Sequence, residues 1–302
     1  VHSVVFGGFA AHNLALRIDD AEPKLLIAAD AGCRGGRVIP YKGLVDEACA
    51  RAKAPPPHVL IVSRGLDPAQ PRIEGRDVDY ATLRVEVGDA GVPVEWLESN
   101  EPSYLLYTSG TTGKPKGVQR DVGGYAVAMA QSMRTIFDCA PGQVMFSTSD
   151  VGWAVGHSYN VYAPLIGGCT SVLYEGLPVN PDPGIWWSLC EKYGVRTMFS
   201  SPTAIRVLKK HDIRHLRDHD LSKLAYLFLA GEPLDEPTAT WISEALGKPV
   251  IDNYWQTETG WPALTLMPGL DMRPVKFGSP GFPNLGYRMK VVDEATGEEV
   301  GP

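Results

Sequence analysis

The chain has 302 residues, about twice an ordinary domain length, and its 44% hydrophobic and 21% charged residues exclude a disordered tail or a collagen-like rod. With 28 Lys+Arg against 35 Asp+Glu the net charge is −7. That excludes a counterion-displacing surface for nucleic acid, while a local cluster can still hold a small phosphate.

In chain order, Val1-His2-Ser3 runs straight into Val4-Val5-Phe6-Gly7-Gly8 without an initiator Met. Lys24 to Ala29 reads as a short buried strand, Tyr41 to Lys53 as a helix, Ala54-Pro55-Pro56-Pro57 as a loop and His58 to Val62 as a strand. The polar stretch Asp67 to Asp79 is expected to be a surface loop, followed by a strand at Ser103 to Tyr107 and a helix at Gly123 to Phe137. Further strands are expected at Ser171 to Tyr174, Thr197 to Ser200 and Leu224 to Leu229. Between and after them come helices at Pro183 to Tyr193, Pro202 to Lys210 and Glu236 to Leu246. Strand followed by helix, repeated, predicts an α/β fold with mainly parallel sheets. After Met272 the glycines and prolines at 278, 280, 281, 283 and 286 punctuate the chain before Arg288 to Val292 and a turn at Asp293 to Gly297, a pattern of antiparallel sheet. The expected division is a first α/β subdomain over 1–135, a second over 136–272, and the start of a β-rich subdomain over 273–302. Both ends read as cuts through a longer polypeptide. Cys33, Cys49, Cys139, Cys169 and Cys190 are odd in number and contain no C-x-x-C, which favours a reducing cytoplasm over a disulfide framework or zinc ribbon. No apolar run approaches the roughly 18 residues of a membrane span, so no membrane partner is expected.

The chemistry is concentrated in Tyr107-Thr108-Ser109-Gly110-Thr111-Thr112-Gly113-Lys114-Pro115-Lys116-Gly117-Val118. This string follows an apolar strand and precedes a helix-like segment, and its glycines, hydroxyls and lysines suit a phosphate cradle. It is not a Walker loop, because Pro115 stands where that pattern needs Ser or Thr after Gly113-Lys114.

The string resembles the signature loop of the adenylate-forming superfamily, which includes acyl-CoA synthetases, peptide-synthetase adenylation domains and firefly-type luciferases. Ala230-Gly231-Glu232-Pro233 is similar to the family segment that lies against adenine, and Asp252 to Gly260 (DNYWQTETG) is similar to its Y-x-Q-T-E stretch. The resemblance implies ATP binding by Thr108, Ser109, Gly110, Thr111, Thr112, Gly113, Lys114, Gly231, Glu232, Pro233, Asp252, Asn253, Tyr254, Trp255, Gln256 and Thr257. It gives Thr257, Glu258 and Lys116 catalytic roles, with Glu258 as the Mg²⁺ ligand. Phe6-Gly7-Gly8-Phe9, Asp150-Val151-Gly152-Trp153, Gly156-His157-Ser158-Tyr159 and Tyr174-Glu175-Gly176 resemble short-chain acyl-CoA synthetases. In that branch an R-x-x-R pair after a short strand contacts the phosphorylated nucleotide of coenzyme A, and Arg34 and Arg37 stand at those positions. The acyl pocket would be bordered by Trp153, Ala154, Val155, Ala230 and Trp255. Ala230, where acetyl-specific members commonly have Val, implies room for about one more substrate carbon.

The resemblance is most specific to propionyl-CoA synthetases. It implies small-molecule substrates (propionate, ATP and coenzyme A) joined through an acyl-adenylate, with acetate and butyrate as alternative acids. The family's downstream ribose-binding Asp, hinge and C-terminal domain with its adenylation Lys would lie beyond Pro302, so the 302 residues alone are expected to be inactive. From a different class, the polypeptide could instead be a non-catalytic nucleotide- or acyl-binding fragment. A luciferase-like oxidase or peptide-synthetase module would share the loop but would not need Arg34 and Arg37.

His211, His215 and His219 recur at helical spacing, but Asp220-Leu221-Ser222 reads as a new helix start that breaks their face, so a solvated loop or helix end is expected there. His157 adjoins the expected acyl wall and is equally a core histidine. No G-x-S-x-G elbow supports a Ser-His-Asp hydrolase.

Overall fold

The computed structural model describes residues 1–108 and 115–301. The chain divides into two units, the first comprising Val1–Tyr125, Asp150–Trp153 and Tyr174–Asp182, and the second Ala126–Ser149, Ala154–Leu173 and the chain from Pro183 onward.

The first unit opens with β1 (His2–Ser3), α1 (Ala11–Ala21) and β2 (Leu25–Ala29), followed by a hairpin of β3 (Ala31–Arg34) and β4 (Arg37–Pro40). Then come α2 (Lys42–Arg51), β5 (His58–Val62), β6 (Asp77–Asp79), α3 (Tyr80–Val87), β7 (Pro102–Thr108) and β8 (Lys116–Asp121). Strands β2, β5 and β6 form a parallel sheet, and β1 and β7 pair in parallel with β8 antiparallel at the edge. Ala11 and Ile18 of α1, Val45, Ala48 and Cys49 of α2, and Val59 and Ile61 of β5 make one buried cluster. These two helices therefore cover one face of the β2–β5–β6 sheet.

Strand β6 corrects the last three residues of the loop expected over Asp67 to Asp79, the rest of which is loop and turn. Polar residues form a strand here because their charges are paired. The Asp77 side chain is fully buried and meets the equally buried Lys42 at 2.9 Å and Arg76 at 2.7 Å, while Lys42 also binds Asp46 at 2.6 Å. Burial disfavours the Asp77 carboxylate, but Arg76, the Ile73 N–H and Lys42 outweigh it and hold its pKa at about 2.

The helix α4 (Gly123–Thr135) is followed, in the second unit, by β9 (Val144–Ser147), α5 (Ala154–Gly156), a π-helical turn at His157–Tyr162, α6 (Ala163–Ile166) and β10 (Thr170–Val172). Next are α7 (Ile185–Tyr193), β11 (Thr197–Ser200), α8 (Pro202–Leu208), α9 (Arg214–Arg217) and β12 (Tyr226–Leu229). The unit continues with α10 (Glu236–Leu246), β13 (Val250–Tyr254), β14 (Leu264–Thr265) and β15 (Phe282–Pro283). The sheet order is β10-β9-β11-β12-β13-β14-β15, parallel through β13 and antiparallel beyond it. All four residues of β11 are buried, and Met145, Phe146, Leu227, Phe228 and Ile251 are inaccessible, as a sheet covered on both faces requires. Ser201 caps α8 with Pro202 in its first turn, and Asp235 caps α10 by accepting the Thr238 N–H at 2.9 Å.

The fold is the expected α/β architecture with mainly parallel sheets, and two further local expectations are corrected. No helix starts at Asp220, whose side chain instead accepts the Ser222 N–H at 2.9 Å in a turn. The run Arg288 to Val292 is not a continuous strand: Val292 pairs with Glu299 as an isolated bridge. A two-stranded ribbon alone is marginally stable, and both sides of this one are largely exposed.

Replacing Lys42 with Met removes a cation from two carboxylates and should cost about 3 kcal/mol, measurable as a lower denaturant midpoint. The Asp77 contribution has a definite sign. Its folded pKa lies below the unfolded value, so the stabilisation is fully present above the ordinary carboxylate range and is lost as pH falls toward about 2.

Candidate active site

In a parallel sheet every strand delivers its carboxyl end to the same edge, and the second unit uses that edge. The chain leaves β9 for β10 on one side and later adds β11 on the other, so the strand order reverses between β9 and β11. At this switch point Thr148 Oγ1 and Ser200 Oγ are 2.9 Å apart, each just past or at the end of its strand. The next strand ends bring Ala230, buried, after β12 and Asp252 to Trp255 at the end of β13. Ala230 donates its N–H to Ser200 O at 3.2 Å, so this expected acyl-pocket position is tied to the switch point.

Trp255 follows β13 and is stacked on Phe199 at 6.4 Å between ring centroids, with Tyr159 edge-on at 5.8 Å. Tyr159 lies in the π-helical turn, a rare geometry common at functional sites. His157, in the same turn, is buried with its ring 5.8 Å from Tyr162. The loop after Trp255 holds itself: Thr259 Oγ1 accepts the Gln256 N–H at 3.0 Å, and Ser158 Oγ donates to Gly260 O at 3.0 Å. On it, Gln256 and Glu258 are exposed and Thr257 is half-buried. Glu258 enters no ion pair among the described residues. An exposed carboxylate with substrate phosphates beside it is the donor set that Mg²⁺ accepts, so Glu258 fits that ion.

Asp252 is half-buried, and burial raises its pKa to about 6 against the single hydrogen bond from the Asn253 N–H at 2.9 Å. Asn253 Nδ2 reaches Leu229 O at 3.5 Å, and its buried Oδ1 accepts no hydrogen bond among the described residues. Gly231 and Pro233 are exposed; Glu232 between them is anchored by Arg206, which also binds Asp235 at 2.7 Å, and by the Thr203 N–H at 2.7 Å. Arg206 thus fixes the Gly231–Pro233 loop against α8.

In the first unit Arg34 and Arg37 face each other across the β3–β4 hairpin. Gly35 and Gly36 form its turn with φ of 57° and 76°, the left-handed pair that a two-residue hairpin turn demands. The R-x-x-R spacing is therefore a cross-strand pair and not a loop after a strand. The Arg34 guanidinium lies 5.3 Å from the Phe6 ring, and Phe6 packs on Phe9 and Trp153. A Cβ at Gly7 or Gly32 would fall against the Tyr41 hydroxyl, so Tyr41 locks the Phe6–Phe9 turn to the hairpin. Trp153 belongs to this aromatic cluster in the first unit, whereas Ala154 and Val155 belong to the second.

Thr108 ends β7 and Lys116 begins β8, and the two are Cα partners in the antiparallel ladder. The signature loop therefore connects two paired strands, and β8 separates it from α4, which corrects the strand-to-helix expectation. Lys116 is exposed. Ser109, Gly110, Thr111, Thr112, Gly113 and Lys114 lie outside the described residues.

Sequence reasoning missed Thr148, Ser200, Arg206 and the aromatic support of Trp255. Thr148 and Ser200 each directly follow or end an apolar run, which is the available signal for a carboxyl-edge hydroxyl.

The family model for AMP-binding enzymes matches residues 1–302, and the chain belongs to that family. It is 62% identical over 301 residues to propionate–CoA ligase of Salmonella typhimurium and likewise 62% identical to that of Escherichia coli, covering 100% of this chain and 48% of each relative. It is 41% identical over 298 residues to acetyl-coenzyme A synthetase of Pyrobaculum aerophilum, covering 97% of this chain and 44% of that protein. The chain thus spans about half the length of these curated relatives.

The raised pKa of Asp252 sets a pH-dependent prediction. A carboxyl protonated more readily in the folded state stabilises fully below its unfolded pKa, and this is lost as pH rises through about 6. Asp252→Asn should therefore raise stability at neutral pH by at most about 3 kcal/mol, with the gain shrinking toward zero near pH 3.5, as chemical denaturation at several pH values would reveal.

Proposed function

We propose that the chain is part of an ATP-dependent acid–thiol ligase that joins propionate to coenzyme A. A propionate oxygen attacks the α-phosphorus of ATP and pyrophosphate leaves, forming propionyl-adenylate. The coenzyme A thiol, losing its proton, then attacks the acyl carbon and AMP leaves. The observation that carries this reading is the carboxyl edge of the paired strands β12 and β13, where buried Ala230 follows the first and Trp255, braced by Phe199 and Tyr159, follows the second. Its support from relatives is the 62% identity to two propionate–CoA ligases across the whole chain.

The roles divide by chemistry. Bringing a carboxylate to a polyphosphate requires fixed positive charge and donors, which Thr108, Lys116 and the residues Ser109 to Lys114 would supply. Gly231, Glu232 and Pro233 would border the adenine, with Asp252, Asn253, Tyr254, Gln256 and Thr257 completing the nucleotide site. Glu258 would hold Mg²⁺, which would supply charge neutralisation at the polyphosphate. Arg34 and Arg37 would take the phosphates of coenzyme A as guanidinium forks. Trp255 would close the acyl end and Ala230 would leave room for the third carbon, with Ala154 and Val155 as further wall residues. All five cysteines are free thiols, which supports a cytoplasmic setting. Among the described residues no helix is long and apolar enough to cross a membrane.

Acid-dependent ATP–pyrophosphate exchange by the complete polypeptide, compared across acetate, propionate, butyrate and acetoacetate, tests the reading directly. Propionate should give the highest kcat/KM, and absence of any acid-dependent exchange would refute it. Ala230→Val should shift the ratio toward acetate by roughly tenfold to a hundredfold, the range for one lost methylene site. An unchanged ratio would locate the acid selectivity elsewhere.

Arg34→Ala and Arg37→Ala should raise the KM for coenzyme A and leave pyrophosphate exchange nearly unchanged, because exchange precedes thiol entry. Equal loss in both half-reactions would make the arginines structural.

A further inference from the structure

The β3–β4 hairpin must present two arginines on a two-residue turn, yet its own ladder is four residues long on each side. A ribbon this short does not hold its orientation unaided. Two groups outside it supply the constraint. Asp30, at the base of β3, is buried, and its carboxylate accepts four backbone N–H groups: Ala31 at 2.8 Å, Arg64 at 3.0 Å, Leu66 at 3.2 Å and Asp67 at 3.3 Å. The backbone of Arg64 is thereby fixed beside the hairpin.

From that fixed backbone the Arg64 guanidinium reaches Glu175 with both Nη atoms, at 2.7 Å and 2.6 Å. The same Glu175 Oε1 accepts the Cys33 N–H of β3 at 3.3 Å. Cys33 neighbours the pair that closes the turn, so in an antiparallel ladder its N–H points outward to the hairpin edge and needs an acceptor there. Leu177, two residues after Glu175, lies under the turn, where its Cδ1 would be 3.3 Å from a Cβ placed on Gly35. The segment that carries Glu175 therefore grips the hairpin at its edge and beneath its tip.

The Arg64–Glu175 pair is too exposed to stabilise the unit appreciably, since surface ion pairs contribute little. Its geometry, bidentate and coupled to a strand N–H, suits orientation instead. We infer that Arg64 and Glu175 are positioning residues for the Arg34 and Arg37 hairpin and set coenzyme A affinity without contacting the ligand. This rests on the proposed ligase reading and extends it.

The test is steady-state kinetics of the complete polypeptide with acid, ATP and coenzyme A varied in turn, together with thermal unfolding of each variant. Glu175→Ala and Arg64→Ala should each raise the KM for coenzyme A by about tenfold, the cost of re-ordering a freed arginine pair, while the KM for the acid moves far less. Glu175→Gln retains the acceptor for Cys33 and should fall between wild type and Glu175→Ala. The double variant should be no worse than Glu175→Ala, because both changes break one connection. An unchanged KM for coenzyme A, additive single effects, or parallel loss of all kinetic constants with a lowered unfolding temperature would each overturn the positioning role. A wild type that activates acid but never uses coenzyme A would overturn the ligase reading and this inference together. A wild type with normal coenzyme A use and insensitive variants would overturn the inference alone.

Discussion

Parallel pairing is the constraint on which the second unit depends. Strands β9, β11, β12 and β13 run the same way, so the chain must leave each at one edge, and whatever follows a strand is delivered there without further design. Thr148, Ser200, Ala230 and the Asp252–Trp255 segment reach that edge from four separate stretches of sequence. The helices between them serve the same arrangement. Helices α8 and α10 return the chain to the opposite edge, and they start on the Ser201 and Asp235 caps. Arg206 then couples one such helix to the Gly231–Pro233 loop, so packing and site geometry share a residue.

In the first unit a different economy holds. The surface proposed to take coenzyme A is a hairpin tip and not a sheet edge, and the tip is ordered from outside by carboxylates. Asp30 gathers backbone N–H groups, while burial alone would disfavour its charge; the four donors win and its carboxyl sits below the usual range. Asp77 does the corresponding work within β6, where two side-chain cations join the Ile73 N–H. One unit thus uses buried charge for two purposes, shaping a loop and joining a polar strand to a core.

Much of this was legible in the sequence where one physical signal dominated. Continuous apolar runs such as Thr197–Ser200 and Tyr226–Leu229 became buried parallel strands, because nothing but a doubly covered sheet accommodates them. The signature string, the Gly231-Glu232-Pro233 segment and the Asp252–Gly260 stretch stood out by residue type alone. What stayed hidden depended on partners distant in sequence. Strand β6 was masked because Asp77 looks like a solvated residue until Lys42 and Arg76 are beside it. Strand β8 was masked because Lys116, Gly117, Gln119, Arg120 and Asp121 have little strand character, and only the ladder to β7 holds them extended. Glu175 and Arg64 are 111 residues apart, a separation no local pattern can report.

The wedge of Tyr41 against Gly7 and Gly32 carries a consequence for how such a sequence can diverge. Both glycines lack a side chain because the tyrosine hydroxyl already occupies the space a Cβ would need. The three positions therefore form one steric unit. A lineage that first shortened the residue at 41 would free both glycine positions to drift, whereas a lineage that first gained a methyl at either would distort the hairpin before any compensation arose. The order of substitutions is constrained even though each single change is small, and the tyrosine acts as the gatekeeper of that history.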